Sequence, residues 1–323
     1  MEKTMKTVGD LKKFFNTYLR KKLLKLEEER KALAGKVKLS CASAGATGLI
    51  LSVVFGFVSG SPGPFVIGTV LTLILCTFLF KHLCKNYRSR FKDEVIHELV
   101  KFIDERLDYK KSSCISEKAY KQSGLFRKRY HEYKGDDLVQ GVLDKTKIIF
   151  SELHTLYETR DSKGNRHRHT IFRGLFFIGD FNKAFSGKTY VLPDSTERLF
   201  GRFGKMLQSL DMTRGELVKL EDPEFEKEFK VYSTDQIEAR YILSTSLMSS
   251  ITGFKRRNNK RIHMAFADSS VYVAISYSKA LFEPKIFTSL LDFEPIKEYF
   301  EDLRLCIGIV EDLNLNTRIW SKA

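Results

Sequence analysis

Between Leu39 and Phe80 the sequence has no Asp, Glu, Lys or Arg. That stretch is about twice the roughly 20 residues one helix needs to cross a hydrocarbon core, and it excludes an ordinary solvated surface. Cysteine is scarce: five in 323 residues, at 41, 76, 84, 114 and 306, with no Cys-x-x-Cys pair. This argues against a zinc site and a disulfide framework. Only six prolines, with 43% hydrophobic and 29% charged residues, exclude a disordered tail or a collagen-like fibre. Gly-x-Gly-x-x-Gly, Walker and Gly-x-Ser-x-Gly motifs are missing. No cofactor and no metal is implied.

What is present begins with the uncharged stretch itself. Ser59-Gly60-Ser61-Pro62-Gly63-Pro64 interrupts it with turn residues, so it reads as a transmembrane helical hairpin over 39–83. A cleaved leader is the wrong reading, because the apolar run starts late and comes as two spans. A hairpin buried in a globular core is disfavoured by the positive charge on both flanks. Ala42, Gly45, Ala46 and Gly48 give the first span a small-residue face. It suits either packing on the second span or homo-oligomerisation.

The formal net charge is +15, which by itself suggests nucleic acid, an anionic membrane or an acidic partner. Residues 1–38 carry a net +7 and residues 81–92 a net +5, leaving +3 for the rest. By the positive-inside rule both termini are cytoplasmic in a two-span protein of the cell (inner) membrane. The excess charge is topological. Nucleic-acid binding is not supported, since no aromatics interleave with the Lys255-Arg256-Arg257 run and no binding motif is visible.

Residues 1–38 read as a basic amphipathic juxtamembrane helix with Asp10 as N-cap. Residues 84–111 read as a second juxtamembrane helix, with Phe91, Val95, Leu99 and Ile103 at helical spacing. Lys12, Lys13, Arg20, Lys21, Lys22, Lys25, Lys85, Arg88 and Arg90 are candidates for contact with anionic lipid headgroups. The two helices either lie on the bilayer or pair as a stalk.

Residues 112–323 read as an α+β cytoplasmic domain with largely antiparallel sheet. Expected strands are 138–157, 170–178, 189–192, 216–220, 228–232, 261–267 and 271–277. Expected helices are 195–210, one opened by a Ser233…Gln236 capping box and running through Leu247, and one from Glu294-Pro295. His167 and His169 alternate with Arg166 and Arg168 in a turn, which reads as a solvated basic loop rather than a metal site. The acids from Glu221 to Glu228 interleave with lysines and read as structural.

The segments Thr170–Phe177, Tyr190–Asp194, Leu220–Glu226, Val231–Tyr241, Leu281–Pro284 and Leu315–Trp320 occur in an order that resembles a bacterial membrane-protein family of unknown function, numbered 3137. The resemblance runs from about Leu138 to Lys322. It implies a membrane protein with a cytosolic C-terminal domain and supplies no activity. Within these segments Asp235, Glu238 and Arg240 open a helix, and Arg173 interrupts an apolar strand, where it needs a carboxylate or a ligand. These four are the weak candidates for ligand or partner binding; no catalytic residue is assigned. The leading reading is a non-enzymatic membrane-anchored binding module, with the lipid bilayer, a second copy or another membrane protein as partner. An enzyme on a membrane-proximal substrate and an accessory subunit of a membrane complex are the alternatives.

Overall fold

The computed structural model describes residues 6–181, 184–194, 214–313 and 315. The chain divides into two compact units: Met1–Leu99 with Phe282–Phe300, and Val100–Leu281 with Glu301–Ala323.

The first unit opens with α1 (Val8–Phe14), whose N-cap is Thr7 rather than Asp10. The Thr7 hydroxyl accepts from the Asp10 N–H at 3.2 Å, and the Asp10 carboxylate accepts from the Thr7 N–H at 2.9 Å. Asp10 thus occupies the third helical position of a reciprocal capping box. A π-helical turn, Phe15–Leu19, leads into α2 (Arg20–Ser59), and α3 (Pro62–Phe91) follows. Between them lie only Gly60, in the left-handed region at φ 61, and Ser61, the N-cap of α3. The expected six-residue connection shrinks because prolines are tolerated in a helix's first turn, where the missing N–H has no intrahelical partner. Both helices are long and apolar enough to cross a membrane.

Small residues set the approach of α2 to α3. A Cβ at Gly48 would stand 2.0 Å from Thr72 Oγ1, and one at Gly68 would stand 2.3 Å from Ser52 Oγ. Gly45 meets nothing within 4 Å, so only part of the small-residue face serves contact within the chain.

After a second π turn, Lys92–Ile96, α4 (His97–Ile103) begins. Leu11, Phe15, Leu19, Leu23 and Leu26 are buried, as are Phe91, Val95, Ile96 and Leu99. Lys22 Nζ reaches Glu98 at 2.5 Å, and Arg90 pairs with Glu29. The two basic helices therefore pair with each other. Residues 282–300 complete this unit. Glu27 and Arg30, both buried, form a two-pronged ion pair at 2.8 Å. Glu27 also accepts from the Leu290 N–H at 2.9 Å and the Ser289 hydroxyl at 3.0 Å, while Arg30 donates to the Ile286 carbonyl at 2.7 Å.

The second unit is α+β. Its elements are β1 (Asp108–Lys110), α5 (Glu117–Gln122), β2 (Glu132–Leu143), β3 (Thr146–Arg160), β4 (Arg166–Asp180), β5 (Thr189–Pro193) and β6 (Glu216–Val218). Then come α6 (Pro223–Glu228), β7 (Phe229–Ser233), α7 (Gln236–Ile242), α8 (Thr245–Asn258), β8 (Ile262–Ala267) and β9 (Ser270–Ser276). The last helix, α9 (Phe293–Asp312), begins in the first unit's segment and ends in the second's. Among the described residues the strands form one sheet in the order β1-β2-β3-β4-β9-β8-β5-β7-β6, antiparallel throughout.

The stretch expected as one strand over 138–157 is two, β2 and β3, reversed at Asp144-Lys145. Asp144 holds φ 50, a conformation Asp reaches at lower cost than most residues. Asp268, at φ 56, turns β8 into β9 in the same way. The helix expected to open at Ser233 is capped instead by Asp235, and it splits into α7 and α8 at Ser244, the N-cap of α8. The helix expected over 195–210 lies outside the described residues. Tyr120, Leu153, Phe172, Phe176, Tyr190 and Ala274 belong to the core on the sheet.

Candidate functional site

The β7–α7 corner holds three of the four polar residues singled out from the sequence. Asp235 Oδ1 accepts from the Ile237 and Glu238 N–H groups, each at 2.9 Å. The Glu238 carboxylate accepts from the Ser186 N–H at 3.0 Å and the Gly187 N–H at 2.8 Å. Arg240 donates to the Gln236 carbonyl at 3.1 Å. These side chains thus serve their own helix and the loop that enters β5. Gly187 lets that loop approach closely, since a Cβ there would stand 3.0 Å from Asp235 Cβ.

The same corner fixes Lys188. Its N–H donates to Thr234 Oγ1 at 2.9 Å, and its carbonyl accepts from the Thr234 N–H at 3.1 Å and the Ser233 hydroxyl at 3.2 Å. The Lys188 side chain lines a cavity of about 660 Å³ together with Glu117, Lys121, Gly124, Phe126 and Tyr130, the run Arg127-Lys128-Arg129, and Tyr190. Sequence reasoning missed this site. Its signal was legible in Phe126-Arg127-Lys128-Arg129-Tyr130, three cations bracketed by aromatics.

Arg173 is not brought to this corner. It sits on β4, and four strand spacings separate β4 from β7 in the sheet, roughly 19 Å. In register it faces His154 of β3, and its Nε is buried with no hydrogen-bond partner among the described residues. Burial first, then the Arg173 charge, lowers the pKa of His154.

Three carboxylates missed in the sequence, Asp136, Asp137 and Glu152, bring ligand atoms within 4.8 Å of one another. Oxygen donors so spaced suit a hard cation such as calcium or magnesium. These acids already serve protein groups: the Tyr109 hydroxyl donates to Asp137, and the Leu281 N–H donates to Glu152 at 2.9 Å. The signal for them was Gly135-Asp136-Asp137 beside the bulge where β2 slips register on β3.

The other charged runs are compensated. Arg168 pairs with Glu132 and Glu158, and His167 lies 3.3 Å from Asp161. Lys255, Arg256 and Arg257 pair with Glu228, Glu224 and Asp312. Of the headgroup candidates, Lys22, Arg88 and Arg90 pair with Glu98, Glu283 and Glu29. Lys12, Lys13, Arg20, Lys21, Lys25 and Lys85 are exposed.

His263 of β8 is buried, and its Nδ1 has no hydrogen-bond partner among the described residues. Burial, assisted by the charges of Arg261 and Arg214, pushes its pKa down to about 3. Below its unfolded value of 6.5 the unfolded chain takes up a proton that the fold refuses. Stability should therefore fall as pH drops below 6.5, by about 2 kcal/mol at pH 5. Denaturant unfolding of the full chain in detergent at pH 7 and pH 5, beside His263→Phe, measures it. The variant should lose much of the dependence, and an equal fall in both proteins would refute it.

No curated protein matches the chain. A solved structure similar to it is the crystal structure of the mycobacterial trehalose monomycolate transport factor A, TtfA. The identity is 11%, with 67% of this chain and 94% of that chain covered and a TM-score of 0.29. That similarity carries neither fold nor function to this chain. The resemblance drawn from Leu138 to Lys322 narrows: residues 170–315 match the family described as "Protein of unknown function (DUF3137)".

Proposed function

We propose that the chain is a two-span protein of the bacterial inner membrane, a helical hairpin with both termini cytoplasmic, whose α+β unit is a non-enzymatic binding module at the membrane face. The observation that carries this is the bare apolar surface of α2 and α3. The most apolar windows of the two helices are only 6% and 0% buried, and Phe57 is 89% exposed. Apolar surface of that extent calls for lipid or a partner to cover it. The uncharged run and the cations at both ends match a pair of spans with their flanks on the cytoplasmic side. Lys12, Lys13, Arg20, Lys21, Lys25 and Lys85 then serve anionic headgroups at roughly 1 kcal/mol each. The binding reading is preferred over the enzyme reading because Asp235, Glu238 and Arg240 are engaged with backbone groups, and Arg173 lies strands away.

Protease added outside intact spheroplasts should leave residues 100–323 whole and should cut them once the membrane is opened. Cleavage of that portion in intact spheroplasts would overturn the orientation.

A further inference from the structure

The cavity beside Lys188 has one-sided charge. Five cations line it with one carboxylate, Glu117. That acid is already engaged, since the Tyr130 hydroxyl donates to it at 2.7 Å and Lys121 lies 3.6 Å away. Among the described residues, neither Arg129 nor Lys188 forms an ion pair. The contrast with Lys255-Arg256-Arg257, each cation of which has a carboxylate partner, is what singles Arg129 and Lys188 out. Like charges gathered in a concavity repel one another and focus a positive potential there, which an anion relieves.

The size and the walls narrow the ligand. About 660 Å³ lies within the range of small-molecule sites and exceeds what a lone inorganic ion needs. Phe126, Tyr130 and Tyr190 supply apolar and π surface beside the cations. Gly124, at φ 65, admits the Tyr190 ring: a Cβ there would stand 2.4 Å from the tyrosine hydroxyl. Backbone bonds at both its N–H and its carbonyl fix the main chain of Lys188 before any ligand arrives, which removes the backbone share of the ordering cost of binding.

We propose that this cavity binds the phosphate group of a small organic ligand, with Arg129 and Lys188 contacting the anion and the aromatic wall contacting the remainder. The proposal deepens the binding-module reading and rests on it in taking this unit to be the one that binds. It does not depend on membrane orientation. The phosphate could come from a soluble ester or from a lipid headgroup.

The test uses the purified full chain in nanodiscs of neutral lipid and phosphate-free buffer, titrated with adenosine monophosphate. A second arm compares capture of phosphatidic-acid vesicles with capture of neutral ones. Arg129→Gln/Lys188→Gln should weaken binding about tenfold or more, while Lys145→Gln/Lys147→Gln, on the β2–β3 turn and the start of β3, should leave it unchanged. Loss in the first arm identifies a soluble ester; loss confined to the vesicle arm identifies a headgroup. Three results would overturn the proposal: neither probe binds, both variant pairs weaken binding equally, or vesicle capture falls only with Lys12→Gln/Lys13→Gln/Lys21→Gln/Lys25→Gln. The last would leave the membrane-face reading standing without the cavity.

Discussion

Gly174→Ala should destabilise the second unit by more than about 3 kcal/mol, enough to unfold a marginal domain. Gly174 sits on β4, between β3 and β9, at φ 147. A Cβ there would stand 2.0 Å from the Ile275 carbonyl oxygen and 3.0 Å from the Tyr277 N–H nitrogen. Both are backbone atoms, so no side chain can swing aside. The methyl group must push β9 away, and each ladder hydrogen bond lost removes roughly 1 kcal/mol on top of the backbone strain. Gly164→Ala is the control: that residue also has positive φ, at 83, and nothing lies within 4 Å of its Cβ position. It should cost only the conformational strain, about 1–2 kcal/mol. Denaturant unfolding of the full chain in detergent compares the two, and equal midpoints would refute the clash.

Glu27→Gln should cost about 3–5 kcal/mol in the first unit, because it leaves the buried Arg30 guanidinium without its counter-charge. Glu27 also ties the Leu290 N–H and the Ser289 hydroxyl to α2, so segment 282–300 loosens with it. Acid should mimic the substitution. The Arg30 hydrogen bonds, seconded by Leu290 and Ser289, hold the Glu27 carboxyl down to about 2, against an ordinary value of 4.5. A carboxylate depressed in the fold stabilises it above the unfolded value, and that stability drains away as pH falls from 4.5 towards 2. The full loss is on the order of 3 kcal/mol. Unfolding followed between pH 5 and pH 3 should show the wild type weakening more than Glu27→Gln; parallel curves would sink the assignment. Glu27→Leu/Arg30→Met, which removes both charges, should be less destabilised than Glu27→Gln, keeping only the cost of leaving the Leu290 N–H and the Ile286 carbonyl without their partners.

Much of the architecture was legible because its signals are local. The uncharged run marked α2 and α3, and alternating β-branched and aromatic residues marked β4, β8 and β9. Glu294-Pro295 marked the start of α9, where Ile296, Phe300, Leu303, Ile307 and Val310 are all buried. Errors arose where two local signals competed. Ser233 and Asp235 both offer a cap, and Asp235 holds it because its carboxylate reaches two helix N–H groups. Asp144-Lys145 gave no glycine or asparagine to announce a reversal. Distant pairings were not legible at all. Nothing in the neighbourhood of Glu27 announces Leu290, and nothing near Arg129 announces Lys188. The site suffered most, since a cavity is built by long-range contacts while a motif is a run of neighbours.

The return of residues 282–300 to the first unit has a consequence for synthesis. The helix that bears Glu27 and Arg30 leaves the ribosome long before Ile286, Ser289 and Leu290 exist to share hydrogen bonds with them. At typical elongation rates of about 5–20 residues per second the wait is on the order of 13–50 s. For that interval Glu27 and Arg30 have each other but not the groups of segment 282–300 that complete their hydrogen bonds. Only the synthesis of residues 282–300 completes the first unit.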